Sequence, residues 1–169
     1  EGHHHGNHEH EGGVEPHIWN STTNASIIAD NICKALCQLD TVNQSYYQER
    51  TDSLKQIIVQ TDRNISSFLQ NADSTFLIYH PALSYFARDY GLKQISIEEG
   101  GKEPSPSNLK TLIDTCRKEG VRVIFVQQEF DQRNAQLIAS ELGIQVIPIN
   151  PLSYDWQEEM IRVAESLMK

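Results

Sequence analysis

The chain has 169 residues, 38% of them hydrophobic, which suffices for one globular core rather than two full domains. It carries 14 Lys and Arg against 23 Asp and Glu, a net charge of −9, with no basic stripe, so nucleic acid is excluded as an expected partner. No run of about 18 apolar residues predicts a membrane span. The chain lacks an initiator Met and a signal-peptide pattern, so we interpret it as a fragment or a processed product.

The opening segment, residues 1–16, is rich in glycine, glutamate and histidine. Its histidines are His3, His4, His5, His8 and His10. Val14 is its single large apolar side chain, so the segment cannot offset the entropy lost on ordering, and we expect a mobile His-rich loop. An expression tag and a merely solvated loop are the alternatives. A tag is disfavoured because Gly, Asn and Glu interrupt the histidines and the tract continues directly into the next segment.

Two helices are predicted over residues 17–73. A polar cap near Ser21 can begin the first helix, whose apolar residues recur every three or four positions. The second run, from about 43 to 70, contains no Pro or Gly and predicts a long spine helix.

Two of the three cysteines, Cys33 and Cys37, lie four residues apart on one face of the first predicted helix. Their geometry within one helix is poor for a disulfide. We therefore expect buried thiols rather than a metal-binding or redox pair.

From residue 74 the pattern changes to alternating strands and helices. The predicted strands are TFLIYH, KQISIE, VRVIFVQQ and IQVIPIN, and helical patterns follow near 82–90, 106–119, 132–142 and 154–168. Gly91, Gly120 and Gly143 stand where helices should end. This alternation predicts a small doubly wound α/β lobe, residues 74–169, with a four-stranded parallel sheet.

Polar residues follow each predicted strand, where ligands bind in open parallel sheets. They are His80; Glu98 and Glu99; Gln127, Gln128 and Glu129; and Asn150. We expect His80 and Asn150 at the same edge of the sheet. The other histidine outside the loop, His17, also precedes a rigid element, and two anchored imidazoles beside a tract of loose ones favour metal binding over packing.

The common catalytic motifs are missing from the sequence. It contains no G-x-S-x-G elbow, no phosphate-binding glycine loop and no H-E-x-x-H helix, and the pair Gly100–Gly101 is typical of a flexible loop. That the chain is a binding protein and not an enzyme is what the resemblance described next implies.

Residues 15–169 resemble the C-terminal half of the zinc- and manganese-binding solute receptors of ABC transporters (cluster A-I), in their zinc-uptake branch. The most specific segments are P-H-I-W before a long helix, H-P-A-x-x-Y-F-A-x-x-Y-G-L, and the S-P-S sequence that opens the helix after the second strand. Members of the zinc branch commonly carry a His-rich acidic loop just before the P-H-x-W segment.

The resemblance implies a bacterial, extracytoplasmic receptor, either periplasmic or anchored as a lipoprotein. Such a receptor captures Zn²⁺ and delivers it to the membrane permease of an ABC importer. His17 and His80 match metal ligands of the family, and a further histidine is implied from an N-terminal lobe outside this sequence. The loop histidines are then interpreted as a weak, fast capture site.

Position 150 departs from the family pattern and bears on the metal. Asn150 stands where many members have an aspartate that ligates manganese, which favours zinc. The fourth ligand stays open among Asn150, Asp155, Glu129 and water. A second departure is Gln127 in place of a glutamate, and the sequence indicates no role for it.

The alternative function is a truncated metal-dependent hydrolase, with a base such as Glu129 beside an open zinc position.

Overall fold

The computed structural model describes residues 14–98 and 100–169. The predicted architecture, a long helix followed by a small parallel α/β lobe, is confirmed. Within the described ranges the helices are α1 Thr22–Leu39, α2 Gln44–Leu69, α3 Ser84–Tyr90, α4 Pro106–Glu119, α5 Arg133–Leu142 and α6 Trp156–Glu165, and the strands are β1 Thr75–Ile78, β2 Lys93–Ser96, β3 Val123–Gln127 and β4 Gln145–Ile149. The loop histidines at positions 3–10 and Glu99 lie outside the described residues.

The four strands form one sheet in the order β2-β1-β3-β4, and every neighbouring pair is parallel. The carboxyl ends of all four strands therefore meet at one edge. His80 and Asn150 follow β1 and β4, so they belong to the same edge, as the sequence predicts.

Both faces of the sheet are covered, which explains why its central strands are continuous apolar runs. Phe76, Ile78 and Phe125 pack with α2, α3 and α6 in one core cluster. Leu77, Ile124 and Val126 pack with α4 and α5 in the other. Helices α3, α4 and α5 each end at a glycine in the left-handed conformation, as predicted.

The first two helices connect the segment that carries His17 to the lobe. The Ser21 hydroxyl caps α1 by accepting from the backbone N–H of Asn24 at 2.9 Å. The 26 residues of α2 extend for about 39 Å. At their junction with α3, Asp62 accepts hydrogen bonds from Thr22 and Tyr90, at 2.9 and 2.8 Å. This joint fixes the start of α1 against the lobe.

The cysteines differ from the prediction at two of three positions. Cys116 is buried, but Cys33 and Cys37 are only partly buried, so the expectation of buried thiols is wrong for that pair. The physical reason is that one neighbouring helix, α2, covers only part of the surface of α1 at this end. None of the described helices is both long and apolar enough to cross a bilayer.

Candidate metal centre

Strand register places His80 between two polar residues of the neighbouring strands. Ile78 of β1 pairs with Ser96 of β2 and with Phe125 of β3. Two residues beyond these pairs, His80 therefore lies beside Glu98, which follows β2, and beside Gln127, which ends β3.

The imidazole of His80 is oriented from two sides. Its Nδ1 lies 2.6 Å from Oε2 of Glu98, a carboxylate that is only 10% exposed. Its ring stacks on Phe130, with centroids 5.5 Å apart and planes at 21°. Because Nδ1 is engaged by a carboxylate, Nε2 is the nitrogen left to bind a metal, as in the carboxylate–histidine–metal arrangement of many zinc sites.

Gln127 holds the backbone of the same histidine. The side chain is 1% exposed. Its Nε2 donates to the carbonyl oxygen of His80 at 2.7 Å, and its Oε1 accepts from the backbone N–H of His80 at 3.3 Å. Only a carboxamide can donate and accept in this way, whereas an ionised carboxylate can only accept. The departure from glutamate at this position therefore has a structural role.

We expect Gln127→Glu to lower the free energy of unfolding at neutral pH by about 1–3 kcal/mol, because the carbonyl of His80 loses its donor and faces a carboxylate in a buried site. Denaturant titration measures this change. The matched control is Gln128→Glu, an exposed neighbour, for which the change should stay within about 0.5 kcal/mol. Equal effects of the two substitutions would show that Gln127 does not support His80.

His17 is oriented by the carboxylate of Glu15. Oε1 of Glu15 accepts hydrogen bonds from the backbone N–H of His17 at 3.0 Å and from its ring Nδ1. Glu15 is itself held on α3, since Ser84 donates to its Oε2 at 3.0 Å and Tyr85 donates to its backbone carbonyl at 3.1 Å. Partial burial raises the pKa of Glu15, but the hydrogen bonds from His17 and Ser84 outweigh it and leave the pKa below its usual range.

Two tryptophans fasten the segment that carries His17. The indole N–H of Trp19 donates to the carbonyl of Pro151 at 2.8 Å, and the indole N–H of Trp156 donates to the carbonyl of Trp19 at 2.9 Å. The side chain of Asn20 adds a bond to the carbonyl of Ala82 at 2.9 Å. These contacts hold His17 against both the β1–α3 and the β4–α6 loops.

The two histidines meet through their Nε2 atoms, which lie 3.3 Å apart. When each ring carries its proton on Nδ1 beside Glu15 or Glu98, both Nε2 atoms are acceptors, and a cation between them can satisfy both. Zinc binds imidazole nitrogen at about 2.0–2.1 Å, so two ligands of a tetrahedral ion stand about 3.3–3.4 Å apart. The observed spacing matches that requirement. The pair borders a cleft of about 550 Å³.

None of the three candidates for a fourth ligand lines the cleft beside the histidine pair. Asn150 accepts a hydrogen bond from the backbone N–H of Leu152 at 3.2 Å and lines a small cavity behind Trp156. Asp155 and Glu129 are exposed. Over residues 14–98 and 100–169, no group of three or more His, Cys, Asp and Glu side chains is arranged to hold a metal. The fourth ligand stays a prediction.

The sequence profile of the family described as ZnuA, zinc-uptake complex component A periplasmic, matches residues 1–169. The chain belongs to the ZnuA family. A relative from Bacillus subtilis strain 168, named high-affinity zinc uptake system protein ZnuA, is 30% identical over 86% of this chain and 47% of its own length. The zinc-binding protein AdcA of Streptococcus pyogenes serotype M6 is 27% identical over 94% of this chain and 32% of its own length.

A crystal structure of ZnuA superposes on 90% of this chain and 60% of its own, with a TM-score of 0.86 and 34% sequence identity. The chain spans 32% and 47% of the lengths of the two curated relatives just described. The ZnuA family match agrees with the resemblance seen in the sequence and gives the hydrolase alternative no support.

Sequence reasoning missed the two carboxylates that orient the histidines. Glu98 was named as a strand-end residue without a role, and the strand-end rule was the signal that pointed to it. Glu15 stands two residues before His17, which gives no comparable signal. Trp156 holds the segment of His17 through a hydrogen bond to Trp19, 137 residues away in sequence, and no local sequence pattern predicts this contact.

Proposed function

We propose that this chain is the C-terminal part of an extracytoplasmic receptor that captures Zn²⁺ and delivers it to the membrane permease of an ABC importer. The observation that carries this proposal is the 3.3 Å separation of the Nε2 atoms of His17 and His80, with both rings oriented by carboxylates. The ZnuA family description and the names of the relatives support zinc as the cargo. Zinc is carried here as substrate, and the proposal includes no catalysis.

His17 and His80 supply two of the ligands that a tetrahedral zinc ion needs. We propose that a further histidine comes from an N-terminal lobe of the same protein, and that Asn150, Asp155, Glu129 or a water completes the set. In this arrangement α2 is the spine between the two lobes, and residues 74–169 are the C-terminal lobe. The receptor is periplasmic or held at the surface as a lipoprotein.

The histidines at positions 3, 4, 5, 8 and 10 are proposed to gather zinc near the site. Fixing a glycine-rich sequence around an ion costs roughly 1–2 kcal/mol per residue for the backbone. Its binding is therefore weaker than that of a preorganised pair. We propose that it raises capacity and capture rate and leaves the affinity of the main site to His17 and His80.

The metal preference gives the test of the proposed function. We expect the full-length receptor to bind Zn²⁺ more tightly than Mn²⁺, by roughly tenfold or more, because imidazole nitrogen suits zinc while manganese prefers carboxylate oxygen. Competition titration of the two metals measures the ratio. Equal or tighter manganese binding would contradict a zinc receptor.

The variant Asn150→Asp tests the role of position 150 in that preference. If an oxygen at this position reaches the ion, the new carboxylate should narrow the preference for zinc. If the ratio stays the same, Asn150 is a turn residue and is removed from the set of candidate ligands.

A further inference from the structure

Helix α1 carries a thiol pair that the histidine site does not use. Cys33 and Cys37 lie on one face of the helix with their Sγ atoms 4.0 Å apart. Both are partly exposed, and both are free thiols. Sγ of Cys37 also lies 3.8 Å from the backbone carbonyl of Gln44, where α2 begins. These thiols lie at the α1–α2 junction and remain partly accessible to solvent.

The helix geometry opposes a disulfide between them. Residues four apart in an α-helix have Cβ atoms about 5–6 Å apart, whereas a disulfide brings its Cβ atoms to about 3.5–4.5 Å. Closing the bond would require α1 to unwind locally. The helix continues past both cysteines to Leu39, and its C-cap residue Asp40 donates its N–H to the carbonyl of Leu36 at 2.9 Å.

The same spacing suits two thiolates that share one metal ion. At a zinc–sulfur distance of about 2.3 Å, two sulfurs of a tetrahedral site stand about 3.8 Å apart, close to the 4.0 Å observed between these thiols. Thiolates select soft cations. We propose that Cys33 and Cys37 form a bidentate site for a thiophilic d¹⁰ cation such as Cd²⁺ or Zn²⁺, separate from the histidine pair.

The surroundings make this a two-ligand site open to solvent. Two carboxylates lie three residues from a cysteine, and both are engaged elsewhere. Asp40 accepts from Asn43 and from the hydroxyl of Tyr47, each at 2.8 Å, and Asp30 accepts from Lys55 at 2.8 Å. Within the described residues no third metal-ligating side chain joins the thiols. Water completes the coordination, so the site binds less tightly than a closed four-ligand site.

Cadmium titration of the reduced chain tests the site through the ultraviolet thiolate-to-cadmium charge-transfer band, which histidine coordination does not produce. We expect the band to saturate at one cadmium per chain. Cys33→Ser and Cys37→Ser, both conservative changes on a partly exposed helix face, should each weaken the cadmium affinity reported by the band roughly tenfold or more. The control Cys116→Ala removes the buried thiol and should leave the band unchanged.

Three results would overturn this inference. They are the absence of a band in the unmodified chain, an undiminished cadmium affinity in either serine variant, and saturation at one cadmium per two chains. A mild oxidant gives an independent readout, because the helix should keep both thiols titratable. Formation of an intrachain Cys33–Cys37 disulfide would contradict the geometry on which the site depends.

Discussion

In the full-length receptor, His80→Ala is expected to weaken zinc binding by roughly 100- to 1,000-fold. Structural zinc sites with four ligands are worth about 10–16 kcal/mol, so one ligand carries roughly a quarter of that free energy. His80 is also the proposed ligand whose ring and backbone are both fixed, by Glu98 and by Gln127. Isothermal calorimetry with a competing chelator measures the loss.

Deletion of residues 1–12 is the matched comparison for that substitution. In the full-length receptor it should leave the tight site nearly intact and change mainly the stoichiometry or the uptake rate. In the chain described here, the deletion should have the larger effect of the two changes. His17 and His80 alone are an incomplete ligand set, so the deletion should remove most of the measurable zinc binding. A full-length His80→Ala protein that kept its tight site would refute the assignment of this ligand.

Glu98→Gln should lower zinc affinity by about 10- to 100-fold, the range found when a partner that orients a metal-bound histidine is removed. The substitution keeps the size of the side chain but replaces a carboxylate that lies 2.6 Å from Nδ1 of His80. The neutral amide holds the ring less firmly and makes Nε2 a weaker base. Calorimetry on the full-length receptor measures the change.

The control for this substitution is Glu141→Gln, which makes the same change of charge at an exposed position on α5. It should leave zinc affinity unchanged. Thermal unfolding of the metal-free proteins separates loss of the site from loss of the fold. If Glu98→Gln bound zinc as tightly as the control, the carboxylate would have no part in orienting the ligand.

Much of the fold was predictable because its elements are local. The apolar run of β3 predicts a buried strand, and Gly120 predicts the end of the helix before it. The absence of Pro and Gly from residues 44–69 predicts the long helix. Strand order is different, since it depends on which edges pair. The sequence predicts four parallel strands but does not say that β2 lies beside β1.

The same contrast between local patterns and long-range pairing determines which residues of the site the sequence predicts. His80 followed from the strand-end rule, and His17 from the resemblance together with its place before a helix. The partnership of His80 with Glu98 needs the β1–β2 register, in which Ile78 meets Ser96. The attachment of Trp19 by Trp156 needs the packing of the whole lobe. The exposure of the Cys33–Cys37 face was missed because periodicity gives the face of a helix but not how completely its neighbours cover it.

We propose that one zinc ion is held between the Nε2 atoms of His17 and His80. Zinc-edge anomalous diffraction from crystals of the chain lacking residues 1–12, soaked in zinc, tests it directly. We expect an anomalous peak about 2.0–2.1 Å from Nε2 of both His17 and His80, with Glu15 and Glu98 still on the Nδ1 atoms. A zinc ion bound by only one of these histidines, or through Nδ1 in place of a carboxylate, would contradict it.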